Sequence, residues 1–318
     1  MKTTILSQKV SFIIILSALI ISFSSCDSAE DKKGRFFLKG NEKLKENDLK
    51  GASEFYSEAL KIDPDFADAL LNRGIIYERL NNLDAAIADY TKILANGSLI
   101  DTTVYFQRGL AYLDNGEYYK ALSDAQQLEK LNSNSWKTYF LMGLVHEKLK
   151  DNSAALEAFQ KGLNLNPNNP DLVVNMATIL YYQKSYDQAI SLLEKAETVN
   201  EKEPNIYNLR SMIAFDLQEY QKAHEWVSKA IQLNPRESYY YNNRGLYALF
   251  LGDMEKGIED INFSIKQNPK NAYAWRNKGI YYYMMDDKTS ALKYLSDALS
   301  FDPGMDLAQE YFKKAQDL

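Results

Sequence analysis

The stretch that decides the fold runs from Ala272 to Pro303 and reads AYAWRNKGIYYYMMDDKTSALKYLSDALSFDP. Trp275, Lys278, Gly279 and Tyr282 fall at i, i+3, i+4 and i+7, the spacing of one face of a helix, with the lysine contributing its aliphatic stem. Asp286-Asp287-Lys288 supplies a short polar turn. Ala291, Leu295, Ala298 and Leu299 form a second helical stripe, and Asp302-Pro303 ends it because the residue before a proline is pushed out of the helical region. The pattern predicts a helical hairpin, with Gly279 and Ala291 placed where its two helices come closest.

A single hairpin cannot bury its own apolar face, so recurrence is the test. The Gly279 position recurs at Gly245, Ser211, Ala177 and Gly143, and then at Gly109, Gly74 and Gly40. Each step is 34 residues, except the 35 between Gly74 and Gly109. The Ala291 position recurs in phase at Gly257, Ala223, Ala189 and Ala155, and then at Ala121, Ala86 and Ala52. The closing proline recurs at Pro269, Pro235, Pro167 and Pro64.

This pattern resembles the tetratricopeptide repeat, which sets an aromatic residue, Gly, Tyr, Ala, a second aromatic, Ala and Pro at fixed offsets. The resemblance implies an all-α protein, a right-handed superhelical α-solenoid of about eight helical hairpins. The expected repeats are 33–66, 67–101, 102–135 and 136–169, followed by 170–203, 204–237, 238–271 and 272–304. Residues 305–318, with Leu307, Tyr311 and Ala315 at fourfold spacing, read as the capping helix that such an array needs.

Residues 1–25 stand apart from the repeats. Lys2 and Lys9 precede an apolar run from Ser11 to Phe23, which suits a signal-peptide core and is short for a membrane span. Phe23-Ser24-Ser25-Cys26 resembles a bacterial lipobox, although Phe23 stands where leucine is usual. The resemblance implies that Cys26 is lipidated and that residues 26–32 form a polar tether. It places the protein in the bacterial cell envelope, outside the cytoplasm, on the periplasmic or surface side of the outer membrane. Asp27 resembles an inner-membrane retention signal and Glu30-Asp31 a surface-export signal, so the two sorting cues conflict.

Composition narrows the chemistry. Cys26 is the only cysteine in the 318 residues, which excludes an intramolecular disulfide and a thiolate metal cluster. His146 and His224 are the only histidines, and neither has a second ligand at metal-binding spacing. The glycines follow the repeat period rather than a phosphate loop. The acidic side chains read as solvated helix faces and loops. Removal of residues 1–25 leaves 35 basic against 43 acidic side chains, a net charge of −8, which argues against a nucleic-acid partner. No catalytic residue, metal site or cofactor is expected.

What remains is a surface. In proteins of this family the first helix of each repeat lines a concave groove, at repeat offsets two, five, nine and twelve. Those offsets imply Phe106, Leu110, Phe140 and Leu144 in the third and fourth repeats, and Tyr181 and Phe215 in the fifth and sixth. In the last two they imply Tyr239, Asn242, Tyr273, Arg276 and Tyr283. Aromatic, Asn and Arg side chains suit a protein or extended-peptide partner. The leucines and phenylalanines could equally pack between first helices. Tyr239, Asn242, Tyr273 and Arg276, with their polar ends, are expected to face solvent. A carboxylate clamp of the chaperone-binding kind is excluded: Asn41 and Asn72 fit it, but Phe37, Thr103 and Gln107 stand where basic residues belong. The expected function is therefore a lipid-anchored, non-enzymatic binding scaffold. The alternative is a solute- or glycan-capturing lipoprotein, which would need longer inter-helix loops than the single inserted residue allows.

Overall fold

The computed structural model describes residues 28–96 and 102–318. The signal peptide and the lipidation site at Cys26 lie outside the described residues. Among these there are seventeen α-helices and no strand, an α-solenoid architecture. The chain divides into two compact units, Met1–Asn81 and Asn82–Leu318.

The first unit holds α1 (Ala29–Lys45), α2 (Leu49–Ile62) and α3 (Ala67–Arg79). Helix α1 begins four residues ahead of the expected Lys33, inside the stretch expected to be a polar tether. The reason is a capping box. The Ser28 hydroxyl accepts from the Asp31 N–H at 3.0 Å, and the Asp31 carboxylate accepts from the Ser28 N–H at 3.1 Å. Tyr56 is fully buried against Gly40, and its hydroxyl donates to Asn41 at 2.6 Å.

The second unit opens with α4 (Leu83–Ala95). Helices α5 (Thr102–Asp114), α6 (Tyr118–Leu131), α7 (Trp136–Lys148) and α8 (Asn152–Leu165) follow. Next come α9 (Pro170–Tyr182), α10 (Tyr186–Val199), α11 (Pro204–Asp216) and α12 (Tyr220–Leu233). Then come α13 (Ser238–Phe250), α14 (Met254–Gln267), α15 (Ala272–Met284), α16 (Lys288–Phe301) and α17 (Asp306–Gln316). Helices α5 to α16 pair in chain order as hairpins, each stacked on the next.

The turn inside each hairpin repeats one device. Gly116, Lys150, Lys184, Gln218, Gly252 and Asp286 all have positive φ, one per hairpin. Each left-handed residue ends a first helix, and the following N–H reaches back across the cap, as Asp151 does to His146 O and Asp287 to Tyr282 O. Asp151, Asp253 and Asp287 then cap the second helix, each accepting from the N–H three residues on.

Within the hairpins the small residues do what their spacing predicts. At α13 and α14 the backbones themselves meet: a Cβ on Gly245 would lie 2.8 Å from the Gly257 carbonyl oxygen. Ala189, Ala223 and Ala291 are fully buried in the core that runs from α9 to α17, together with Leu193, Val227 and Leu295. Helix α17 closes that core, with Met305, Ala308 and Ala315 buried.

Candidate functional site

Two sets of polar residues emerge in the second unit, one within hairpins and one lining a cavity. The first was not legible as such. Asp124 and Asp260, expected among solvated carboxylates, are buried. Asp124 receives Arg108 Nε at 2.8 Å and Nη2 at 2.6 Å. Asp260 receives Arg244 Nε at 2.6 Å and Nη2 at 3.0 Å. Both are bidentate pairs joining the two helices of one hairpin, and the Asp260 contact holds the Arg244 guanidinium above its ordinary pKa. The signal was present in the chain: each arginine directly precedes the close-packing glycine, and its aspartate follows 16 residues later. Arg210 pairs instead between neighbouring hairpins, with Glu197 of α10 at 2.8 Å.

The second set surrounds a cavity of about 660 Å³ formed by the first helices α9, α11, α13 and α15 and by the chain entering α17. Six of the expected residues meet there: Tyr181, Phe215, Tyr239, Asn242, Tyr273 and Arg276. The Tyr239 and Tyr273 rings are exposed, at 44% and 42%. Tyr181 and Tyr247 are forced by burial, with Asp216 nearby, to keep their phenol protons well beyond the usual range.

Arg276 is part-buried rather than solvent-facing, and Asn242 corrects the expectation of a solvent-facing amide, because it is only 1% exposed. It belongs to a relay of side chains across three helices. Arg276 Nε donates to Asn277 Oδ1 at 2.8 Å, and Asn277 Nδ2 donates to Asn242 Oδ1 at 2.8 Å. Asn242 Nδ2 reaches Asn243 Oδ1 at 3.4 Å, and Asn243 Nδ2 reaches Asn208 Oδ1 at 2.9 Å. Every amide turns its oxygen towards the arginine end, so the dipoles support the cation without neutralising it. Burial brings the Arg276 guanidinium down to about 10, an effect its tyrosine neighbours and Asp216 only partly offset.

The other expected residues lie elsewhere. Phe106, Leu110, Phe140 and Leu144 pack against the cores beneath α5 and α7, where Phe140 meets the rings of Trp136 and Phe159 at 6.0 and 6.3 Å. Tyr283 does not line the cavity. Its ring meets Tyr311 of α17 edge-on at 5.2 Å. Conversely, Asn208 and Leu246 stand at offsets five and nine of their repeats and could have been taken by the same rule, whereas Tyr182 and Tyr247 fall outside those offsets.

His224 lies half-buried in α12, where burial and Arg244 lower its pKa. No group of three or more metal-type side chains occurs among the described residues, and no described helix is long and apolar enough to cross a membrane.

Comparison with known families decides the classification. Models described as tetratricopeptide repeats match residues 40–81, 68–96, 106–170, 147–213, 204–237 and 242–306. The chain belongs to the tetratricopeptide repeat family. Human DnaJ homolog subfamily C member 7 is 37% identical over 95 residues, 28% of this chain and 19% of that protein. Mouse tetratricopeptide repeat protein 12 is 37% identical over 94 residues, 29% of this chain and 13% of that protein. The chain thus spans about a fifth or less of the curated relatives it matches. Among solved structures, yeast Tom70 superposes with a TM-score of 0.61 at 15% identity, covering 92% of this chain and 65% of that one. PilF of Pseudomonas aeruginosa gives 0.55 at 18% identity, covering 67% of this chain and 97% of that one. PilW, described as a type IV pilus biogenesis factor, gives 0.55 at 12%, covering 67% and 99%. At these identities the likeness is one of fold.

Proposed function

We propose that this tetratricopeptide repeat protein is a non-enzymatic scaffold that holds a protein or extended peptide in the tyrosine-lined cavity between α9 and α17. Scaffolds of this family bind protein or peptide partners. The observation that carries the reading here is the convergence of exposed Tyr239 and Tyr273 with Arg276 in one concavity. Rigid aromatic rings and a guanidinium are the groups that dominate protein interfaces, each costing about 2 kcal/mol or more on truncation. We place the scaffold in the bacterial envelope through a lipid on Cys26, a reading supported by the apolar run and small residues before it. By analogy with the pilus biogenesis factor of similar fold, its task would be envelope assembly.

The test is capture of a partner from envelope extract by the purified chain. Tyr273→Ala combined with Arg276→Gln should weaken capture at least tenfold and leave the melting temperature nearly unchanged. Undiminished capture would move the binding face away from this cavity. For the anchor, Cys26→Ser should abolish partitioning into detergent; unchanged partitioning would remove the lipid.

A further inference from the structure

The two ends of the described chain are finished differently. At the C-terminal end α17 closes the last core, with Met305, Ala308 and Tyr311 buried and Glu310, Lys313 and Lys314 turned to solvent. At the N-terminal end α1 presents an outer face on which Leu38 is 60% exposed. At 100° per residue, one arc of about 140° carries Lys32, Arg35, Lys39 and Lys45 around Leu38, all of them exposed. The acids within that arc are Asp31 and Glu42, and Asp31 is held in the capping box by Ser28. Glu30 and Glu46 flank the face, but each is paired, with Lys33 at 2.9 Å and with Lys43 at 2.7 Å.

The charge of this face runs against that of the chain. Residues 28–45 hold six basic against three acidic side chains, a balance of +3 in a protein whose total is −6. Position supplies the partner. Cys26 stands two residues ahead of the Ser28 cap, and two residues of fully extended chain reach only about 7 Å. A lipid on Cys26 would therefore hold the start of α1 at the membrane surface, because the residues from Ala29 onward are helix and not a loose tether. Anionic head groups attract basic side chains within a Debye length, about 8–10 Å, so the acids of distant repeats count for little there. Lysine and arginine stems can lie along the apolar layer while their charged ends stay at the head groups, and Leu38 supplies the apolar contact between them. From Lys32 to Lys45 the face extends for about 20 Å along the helix.

We propose that the outer face of α1 is a membrane-contact surface, with Lys32, Arg35, Lys39 and Lys45 on anionic lipid head groups and Leu38 entering the layer between them. This rests on the reading of Cys26 as the lipid site, and adds a second, electrostatic attachment that lays α1 along the bilayer. The lipid surface then covers the exposed leucine of α1, as α17 covers the core at the other end.

The experiment uses the chain from residue 26 onward, which keeps every described helix, with Cys26→Ser so that no lipid contributes. It is sedimented with vesicles of phosphatidylcholine alone and with vesicles rich in phosphatidylglycerol. The anionic vesicles should carry down about tenfold or more of the protein than the neutral ones, and high salt should release it. Lys32→Gln, Lys39→Gln and Lys45→Gln together should erase the preference, and Leu38→Ser should weaken it, with circular dichroism unchanged in both. Lys266→Gln, Lys270→Gln and Lys313→Gln remove as much charge from the second unit and should leave the preference intact. Equal sedimentation with both kinds of vesicle, or an equal loss in the second-unit variant, would overturn the assignment to α1. A chain that ignores the vesicles and forms a dimer that Leu38→Ser dissolves would overturn it in favour of a second copy. Because the test chain carries no lipid, these outcomes leave the anchor at Cys26 standing. The anchor reading falls separately, if the native chain fails to partition into detergent.

Discussion

Arg244 and Arg276 sit on successive first helices of the same stack, and their surroundings are opposite. Arg244 crosses to the second helix of its own hairpin and closes both ends of its fork on buried Asp260, which Lys256 also approaches at 3.4 Å. Arg276 turns to the concave side, gives one N–H to Asn277, and shares a cavity with tyrosine rings. One cation is paired with a carboxylate inside the fold, and the other has no ion pair among the described residues. The difference lies in two residues of register. Arg244 directly precedes the close-packing Gly245, whereas Arg276 stands three residues before Gly279, and at about 100° per residue these two positions lie roughly 160° apart around the helix.

The comparison is broken most forcefully from the paired side. Asp260→Ala leaves the Arg244 guanidinium in the hairpin seam without its carboxylate, so unfolding in urea should lose about 3–5 kcal/mol. A loss under about 1 kcal/mol would make this pair equivalent to an exposed ion pair, and the contrast with Arg276 would vanish.

The fold was legible because the close approach of two helices admits only small side chains. Gly245 and Gly257 show why, since the backbones themselves touch there. That steric demand is local and periodic, so a single chain displays it. The cavity was legible only in part. Repeat offsets say which first-helix residues face the concave side, and they found Tyr239, Tyr273 and Arg276. They carry no information on what neighbouring repeats place opposite. Asn242 is buried because Asn277 and Asn243 reach it from either side, and Tyr283 is covered because α17 folds back onto it. Asp124 and Asp260 were misread for a related reason: a carboxylate looks solvated until its arginine, 16 residues earlier, is noticed.

A smaller effect sharpens the seam itself. Ala189 is fully buried where α10 faces α9, so Ala189→Phe should overpack that contact and cost about 1–3 kcal/mol in the same urea measurement. Unchanged stability would show that the seam has room, and the small-residue argument would fail at this repeat.

The smallest expected effect is the most telling. Arg276→Gln removes the charge while placing an N–H donor where Nε met Asn277. If the guanidinium contributes to binding and not to folding, the variant's unfolding free energy in urea should match the wild type to within about 0.5 kcal/mol, or exceed it, since an uncompensated cation has left a partly buried site. A loss approaching that of Asp260→Ala would contradict the account, because Arg276 would then be a structural residue like Arg244.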